Sequence, residues 1–361
     1  MHLNVSEPVS PSPPSSTPRP KFKLPRLQEL GLVIVIAIMW TALSIVGYVR
    51  ASPGQPNLFL NPNNLIDEIA TNMSIYAIMA VGMTLVIISG GIDISVGSAM
   101  ALSGLASAYV LQQFPENAPA WQVLPVAMLV GPSVGLLCGL LNGSLVVGLR
   151  MHPFIVTLGT LSIFRDITIV TPSEATLPNS GRYLPTAFTD HLIRLKIFDQ
   201  RPMPMIIMLV IAAIGAFYLS QTVGGREIYA LGGNEEAARF SGLRVGWIKM
   251  RVYLVAGLTA GIAGTVNLGH FGATSTSTGT SYELTVVAAA VVGGASLTGG
   301  RGTALGALLG TLVIETIEDG ISKMNWKQEY RLIIIGSAII IAVAIDRISD
   351  YLRQRRLATA R

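Results

Sequence analysis

The chain has 361 residues, 51% of them hydrophobic and only 12% charged, with a formal net charge of +5. Soluble domains carry about 25% charge, so a water-soluble globular enzyme is excluded and a bilayer is the expected solvent. A single cysteine, Cys138, excludes disulfide frameworks and cysteine-based metal sites, and the basic residues sit beside apolar runs, where orientation in a membrane explains them better than nucleic acid does.

Residues 1–29 are rich in Ser and Pro and end with Arg19, Lys21, Lys23 and Arg26, the composition of a disordered basic tail. The apolar run 30–49 is about 30 Å long as a helix and lacks a small-residue cleavage site, which predicts an uncleaved first span. Further runs follow at 66–89, 94–112, 121–148, 153–171, 203–220, 251–269, 284–298, 303–318 and 330–346. These ten segments predict an all-α, polytopic membrane protein with its transmembrane domain over 30–346 and a basic tail at 347–361. Alternating the spans from a cytoplasmic N-terminus puts most Lys and Arg inside and both termini in the cytoplasm. Trp121 and Trp326 then fall in outer connections and Trp247 at an inner edge, as interfacial anchors, while Trp40 packs mid-span.

The runs 284–298 and 303–318 are short for full crossings and are separated by Gly299, Gly300, Arg301 and Gly302, the pattern of a broken crossing. Gly90 to Gly97 and Gly293 to Gly300 share the form Gly-Gly-x-[Asp/Ser]-[Ile/Leu]-[Ser/Thr]-x-Gly. Both copies lie between an inward-running and an outward-running segment, so they predict a parallel internal repeat with broken Gly-rich segments. Such interruptions at matched places mark a transport pathway, or else let helices pack closely.

Asp93 and Ser95 belong to the first copy. A carboxylate in apolar surroundings needs a donor, water or a cavity, so Asp93 either caps the next helix or contacts solute or a proton. Arg165 and Asp166, adjacent on a span and about 100° apart round a helix, are not partners. Arg165 either snorkels outward or lines the pathway. Asn72, Asn142, Thr157, Thr160 and Asn267 either bond a polyol or tie helices together. With Gly90, Gly91, Gly293, Gly294 and Ser296, the residues Asp93, Ser95, Asn142, Thr157, Arg165 and Asn267 are the translocation-pathway candidates. His152 and His270 have no partner at metal spacing, so no metal or cofactor is expected.

The longest polar segment, 221–250, is expected on the cytoplasmic side and contains Gly232 to Gly242. Asn234 is predicted to cap a short helix, Glu235 and Glu236 to complement its dipole and Gly242 to end it, leaving Phe240 as an apolar anchor on an exposed knob. No Gly-x-x-x-x-Gly-Lys-[Ser/Thr] loop occurs, so ATP, if used, is hydrolysed by another polypeptide. No nucleophile triad or paired-carboxylate site argues for an enzyme.

Four blocks in this order, Ala80 to Ser98, Pro153 to Thr160, Gly232 to Gly242 and Tyr282 to Gly302, resemble permease subunits of bacterial ATP-binding-cassette importers for monosaccharides, the ribose/xylose/galactose type. The resemblance covers about residues 60–350. It implies a multi-pass inner-membrane permease working by alternating access, with Glu235, Glu236, Ala237, Ala238, Phe240 and Gly242 docking on an ATPase subunit. It also implies a second permease copy and a periplasmic sugar-binding protein. Two alternatives remain: a branched-chain amino-acid permease of the same superfamily, and an ion-coupled secondary transporter that uses Asp93.

Overall fold

The computed structural model describes residues 27–51, 54–327 and 330–338, together with 340, 341 and 344. The tails expected at 1–29 and 347–361 therefore lie outside the described residues, except for 27–29. The helices are α1 (Leu27–Arg50), a π-helical stretch Asn63–Ala70 that runs into α2 (Thr71–Ile88), α3 (Val96–Leu111), α4 (Ala120–Gly148) and α5 (Pro153–Val170). Then come the short α6 (Thr186–Phe188), α7 (Met203–Gln221), α8 (Val223–Gly233), α9 (Glu235–Phe240), α10 (Val245–Phe271), α11 (Tyr282–Val292) and α12 (Ala304–Lys323). Residues 330–338 are helical as well. Two short strands, β1 (Thr176–Leu177) and β2 (Thr274–Ser275), pair antiparallel with Thr176 opposite Ser275.

Each of the ten apolar runs contains a helix. Among the described residues, six helical stretches, Glu29–Arg50, Asn63–Ile88, Ala120–Gly148, Pro153–Val170, Met203–Gln221 and Val245–Phe271, are long and apolar enough to cross a membrane. The broken crossing needs one correction. Only its first arm is short: α11 has 11 residues, whereas α12 continues past the expected end at 318 to reach 20. The apolar pattern fades there because Glu315, Glu318 and Asp319 interrupt it.

Burial sorts the helices into two layers. Helices α2 and α10 are enclosed nearly all round, while α1, α4, α5 and α7 turn large apolar side chains such as Ile38, Leu137, Ile155 and Phe217 outward. An outer face of that kind suits acyl chains rather than water. On the inner side, Gly131, Gly135, Gly139 and Gly143 of α4 recur at every fourth position and meet α10. A Cβ on Gly135 or Gly139 would overlap the carbonyl oxygen of Gly257 or Tyr253, so the backbones are in direct contact, the close approach that small residues permit between membrane helices.

The repeat is visible in how two helices stop. Gly90 adopts φ 84° and donates its N–H to the Ile87 carbonyl at 2.9 Å, while the Gly91 N–H reaches Val86 O at 3.0 Å. Gly294, at φ 95°, bonds Val291 O at 2.9 Å, and Ala295 bonds Ala290 O at 2.9 Å. Both are Schellman stops, which need a left-handed residue that glycine supplies without a Cβ clash. They align Gly90 with Gly294, one residue along from the Gly90 to Gly293 match of the sequence pattern. The loop that follows, 295–303, is longer than its counterpart 91–95.

The two breaks meet. Gly300 donates its N–H to the Ile88 carbonyl at 2.8 Å, and Gly232, at the end of α8, lies so close that a Cβ would overlap that same oxygen. Tyr229 of α8 donates its hydroxyl to Gly302 O at 2.7 Å. Helices α2 and α11 thus run toward the same end of the bundle, as a parallel repeat requires, and that end carries the 221–250 segment.

Candidate functional site

Four of the pathway candidates form one knot. Asp93 Oδ1 accepts the Ser95 N–H at 2.9 Å and the Ser95 hydroxyl at 2.7 Å. Asn142 of α4 donates from Nδ2 to Ser95 Oγ at 2.8 Å and to Asp93 Oδ2 at 3.3 Å, and accepts the Thr160 hydroxyl of α5 at 2.7 Å. Thr157 donates to Ile92 O and accepts the Ile94 N–H, both at 3.3 Å. All five side chains are buried, so the first Gly break is fastened to α4 and α5 without a water-facing group. Asp93 is therefore not a cap of α3 in the strict sense, since it bonds the N–H of Ser95, the residue before the helix. Buried polar groups that satisfy one another in this way fasten the elements that carry them.

The glycine candidates Gly90, Gly91, Gly293 and Gly294 are the helix stops already described. Ser296 sits in the second loop, its N–H on Arg301 O at 3.1 Å and its hydroxyl 2.8 Å from that of Thr298. His152 accepts the Phe154 N–H at 3.3 Å through Nδ1, a cap for α5.

Asn267 lies elsewhere, at a cavity of about 400 Å³ whose walls also include Phe271, Thr274, Ser275, Thr278 and Tyr282, and Arg165 stands behind that wall. The segment between α10 and α11 builds it. After Gly272 the chain turns back into the bundle, where Gly279 packs on the Gly97 carbonyl of α3. Helix α11 starts only there, so its 11 residues span about 16 Å before the second break. Tyr282, at its first residue, stacks against Tyr76 of α2 with ring centroids 4.7 Å apart. The non-helical stretch thus lies at membrane depth, which is tolerated where backbone lines a cavity. Arg165 Nη1 donates to Thr278 O at 2.6 Å and holds the wall, and Asp166 faces outward. Sequence reasoning overlooked this Ser- and Thr-rich stretch; its seven hydroxyl residues between 274 and 281 were the signal.

A second omission is a polar cluster on α12. Arg331 pairs through Nε with Glu318 Oε1 at 2.6 Å, donates from Nη2 to the Tyr76 hydroxyl at 2.9 Å and Thr285 Oγ1 at 3.4 Å, and lies over the Tyr76 ring at 5.7 Å. Asp319 accepts from Asn64 Nδ2 at 3.1 Å. One guanidinium thereby ties α2, α11, α12 and the helix at 330–338. Its sequence signal was three acids at i, i+3 and i+4 facing an arginine on the next segment.

At the opposite end from the cavity mouth, the knob takes the predicted form. Asn234 Oδ1 accepts the Ala237 N–H at 2.9 Å, and Gly242, at φ 83°, closes α9 with its N–H on Arg239 O and the Leu243 N–H on Ala238 O, both at 3.1 Å. Glu235 is held by Lys249 at 2.8 Å and Arg239 at 3.2 Å, and Ala238 is buried. Glu236, Ala237, Phe240 and Gly242 are exposed, and Phe240 is 84% so. A rigid helix with an apolar tip fits a groove on a soluble partner.

Comparison with known proteins agrees with this architecture. Residues 65–343 match the family model described as "Branched-chain amino acid transport system / permease component". The chain is 35% identical over 322 residues to the ribose import permease protein of Bacillus subtilis, covering 89% of this chain and 93% of that one. It is 35% identical over 293 residues to the D-allose transport system permease protein of Escherichia coli, covering 81% and 86%. The galactose/methyl galactoside import permease protein of Escherichia coli is 30% identical over 348 residues, 93% and 98% of the two chains. No solved structure matches. The matched span includes the knot, the cavity, both Gly breaks and the knob, and the chain belongs to this family of transport-system permease components, as a multi-pass membrane protein.

Proposed function

We propose that this chain is the permease subunit of an ATP-driven importer for a monosaccharide of the ribose, allose or galactose kind. The observation that carries the reading is the foot of the knob, where Gly232 and Tyr229 of α8 touch both Gly breaks at once. A displacement of α8 and α9 by a nucleotide-hydrolysing partner is thereby delivered to the two places where helices stop within the bundle. Glu236, Ala237, Phe240 and Gly242 meet that partner, while Glu235 and Ala238 hold the knob to the bundle. The sugar relatives favour a carbohydrate over a branched-chain amino acid. The segment 221–250 and both termini then face the cytoplasm across the inner membrane, the cavity mouth faces a periplasmic sugar-binding protein, and a second permease copy completes the pathway.

The test is Gly242→Asp. A side chain is strained at this left-handed position, and a charge there sits on the exposed docking face. Sugar uptake and receptor-stimulated ATP hydrolysis are expected to fall together, with the protein still inserted in the membrane. Coupling at the wild-type level in that variant would refute the assignment of the knob.

A further inference from the structure

Asn267 stands out among the buried polar residues. It is 3% exposed, yet its side-chain amide makes no hydrogen bond to any described residue, and it lines the 400 Å³ cavity. Its counterparts Asn142, Thr157 and Thr160, equally buried, are all spent on protein partners. The amide opens on the cavity, so a group that enters there can bond it in place of water.

The rest of the wall states what that group is. Ser275 and Thr278 offer hydroxyls, Phe271 and Tyr282 offer aromatic faces, and among the described residues no carboxylate, ammonium, guanidinium or imidazole lines the space. The two arginines behind the wall are turned to backbone oxygens, Arg165 to Thr278 O at 2.6 Å and Arg194 to His270 O at 2.8 Å. Helix α11 begins at this cavity, and Ser281, in a left-handed conformation before it, makes no side-chain cap bond. Amide, hydroxyls and aromatic rings without a formal charge suit a neutral polyhydroxylated ring, whose hydroxyls bond both ways and whose C–H face lies on an aromatic. A zwitterion or a sugar acid would lose its hydration here with no counter-charge in return.

We propose that this cavity is the transit site for the solute, that it admits a neutral sugar ring and rejects charged solutes, and that Asn267 is the side chain that contacts the sugar hydroxyls. The wall of the site packs through Gly279 on Gly97 of α3, two residues beyond Ser95 of the knot. This rests on the reading of the chain as a monosaccharide permease.

The experiment uses cells carrying the complete importer and radiolabelled D-ribose, D-allose and D-galactose. Wild type is expected to take up at least one of them. Asn267→Ala should lower that uptake about tenfold, the equivalent of one lost hydrogen bond, while Asn267→Gln, which keeps the amide, retains most of it. In parallel, Thr280→Cys should react with a small water-soluble thiol reagent, since the native Cys138 is buried, and the transported sugar should slow that reaction. If wild type imports none of the three sugars, the monosaccharide reading fails and the site goes with it. If wild type imports but Asn267→Ala stays within about twofold of it, or sugar leaves the Thr280→Cys reaction unchanged, only the assignment of the cavity is overturned.

Discussion

At Gly135 the α4 backbone touches that of α10, and at Gly159 on α5 a Cβ would meet nothing. The two glycines look alike in the sequence and differ entirely in packing. Gly135→Val is expected to lower the detergent-solubilised melting temperature and the membrane yield, through overpacking worth about 1–3 kcal/mol or more. Gly159→Ala should leave both unchanged or raise them slightly, since glycine inside a helix costs about 0.5–1 kcal/mol against alanine. Equal behaviour of the pair would contradict the α4 to α10 contact. The Asp93 knot has a similar signature. Asn142→Leu removes the donor shared by Asp93 and Ser95 and leaves the Thr160 hydroxyl only the longer bond to Thr157 O at 3.4 Å, a loss of about 1–3 kcal/mol. A thermal-shift scan that finds no destabilisation would show that the knot does not fasten the first break to α4 and α5.

Among elements, α8 matters for what it touches. The Tyr229 hydroxyl is its polar link to the second break, so Tyr229→Phe should leave the fold intact yet reduce uptake more than basal ATP hydrolysis. Parallel assays of the two activities check this; a proportional loss of both would assign Tyr229 to folding alone. Asn234→Ala should cost α9 about 0.5–2 kcal/mol and loosen the knob, seen as faster amide exchange over 235–240. These local devices were legible in the sequence because capping residues, stop glycines and apolar runs act within a few positions. The two breaks were legible too, though the alignment slipped by one glycine because the second loop is longer. What stayed hidden depends on neighbours distant in sequence. Asn142 and Asn267 read alike as span-embedded amides, and only packing shows that one is bonded on every side and the other faces a cavity. The Gly131 to Gly143 ridge needed the partner helix to acquire its meaning. Arg331 lies in the run 330–346, whereas Glu318 and Tyr76, which hold it, come from elements the apolar pattern alone does not bring together.

For the molecule as a whole, a cavity lined by uncharged side chains opens at one end, a satisfied polar knot fastens the first Gly break to α4 and α5, and a rigid knob at the other end is rooted on both Gly breaks. On the proposed function, such a body holds one of two alternating states and draws its energy from an ATP-hydrolysing partner. The most direct measurement is solute accumulation in proteoliposomes that contain this permease and its sugar receptor, with and without the ATPase subunit. Uphill accumulation of sugar is expected only when the ATPase and ATP are both present, and it should persist when the proton gradient is collapsed. Accumulation without the ATPase, driven by an imposed ion gradient, would contradict the account.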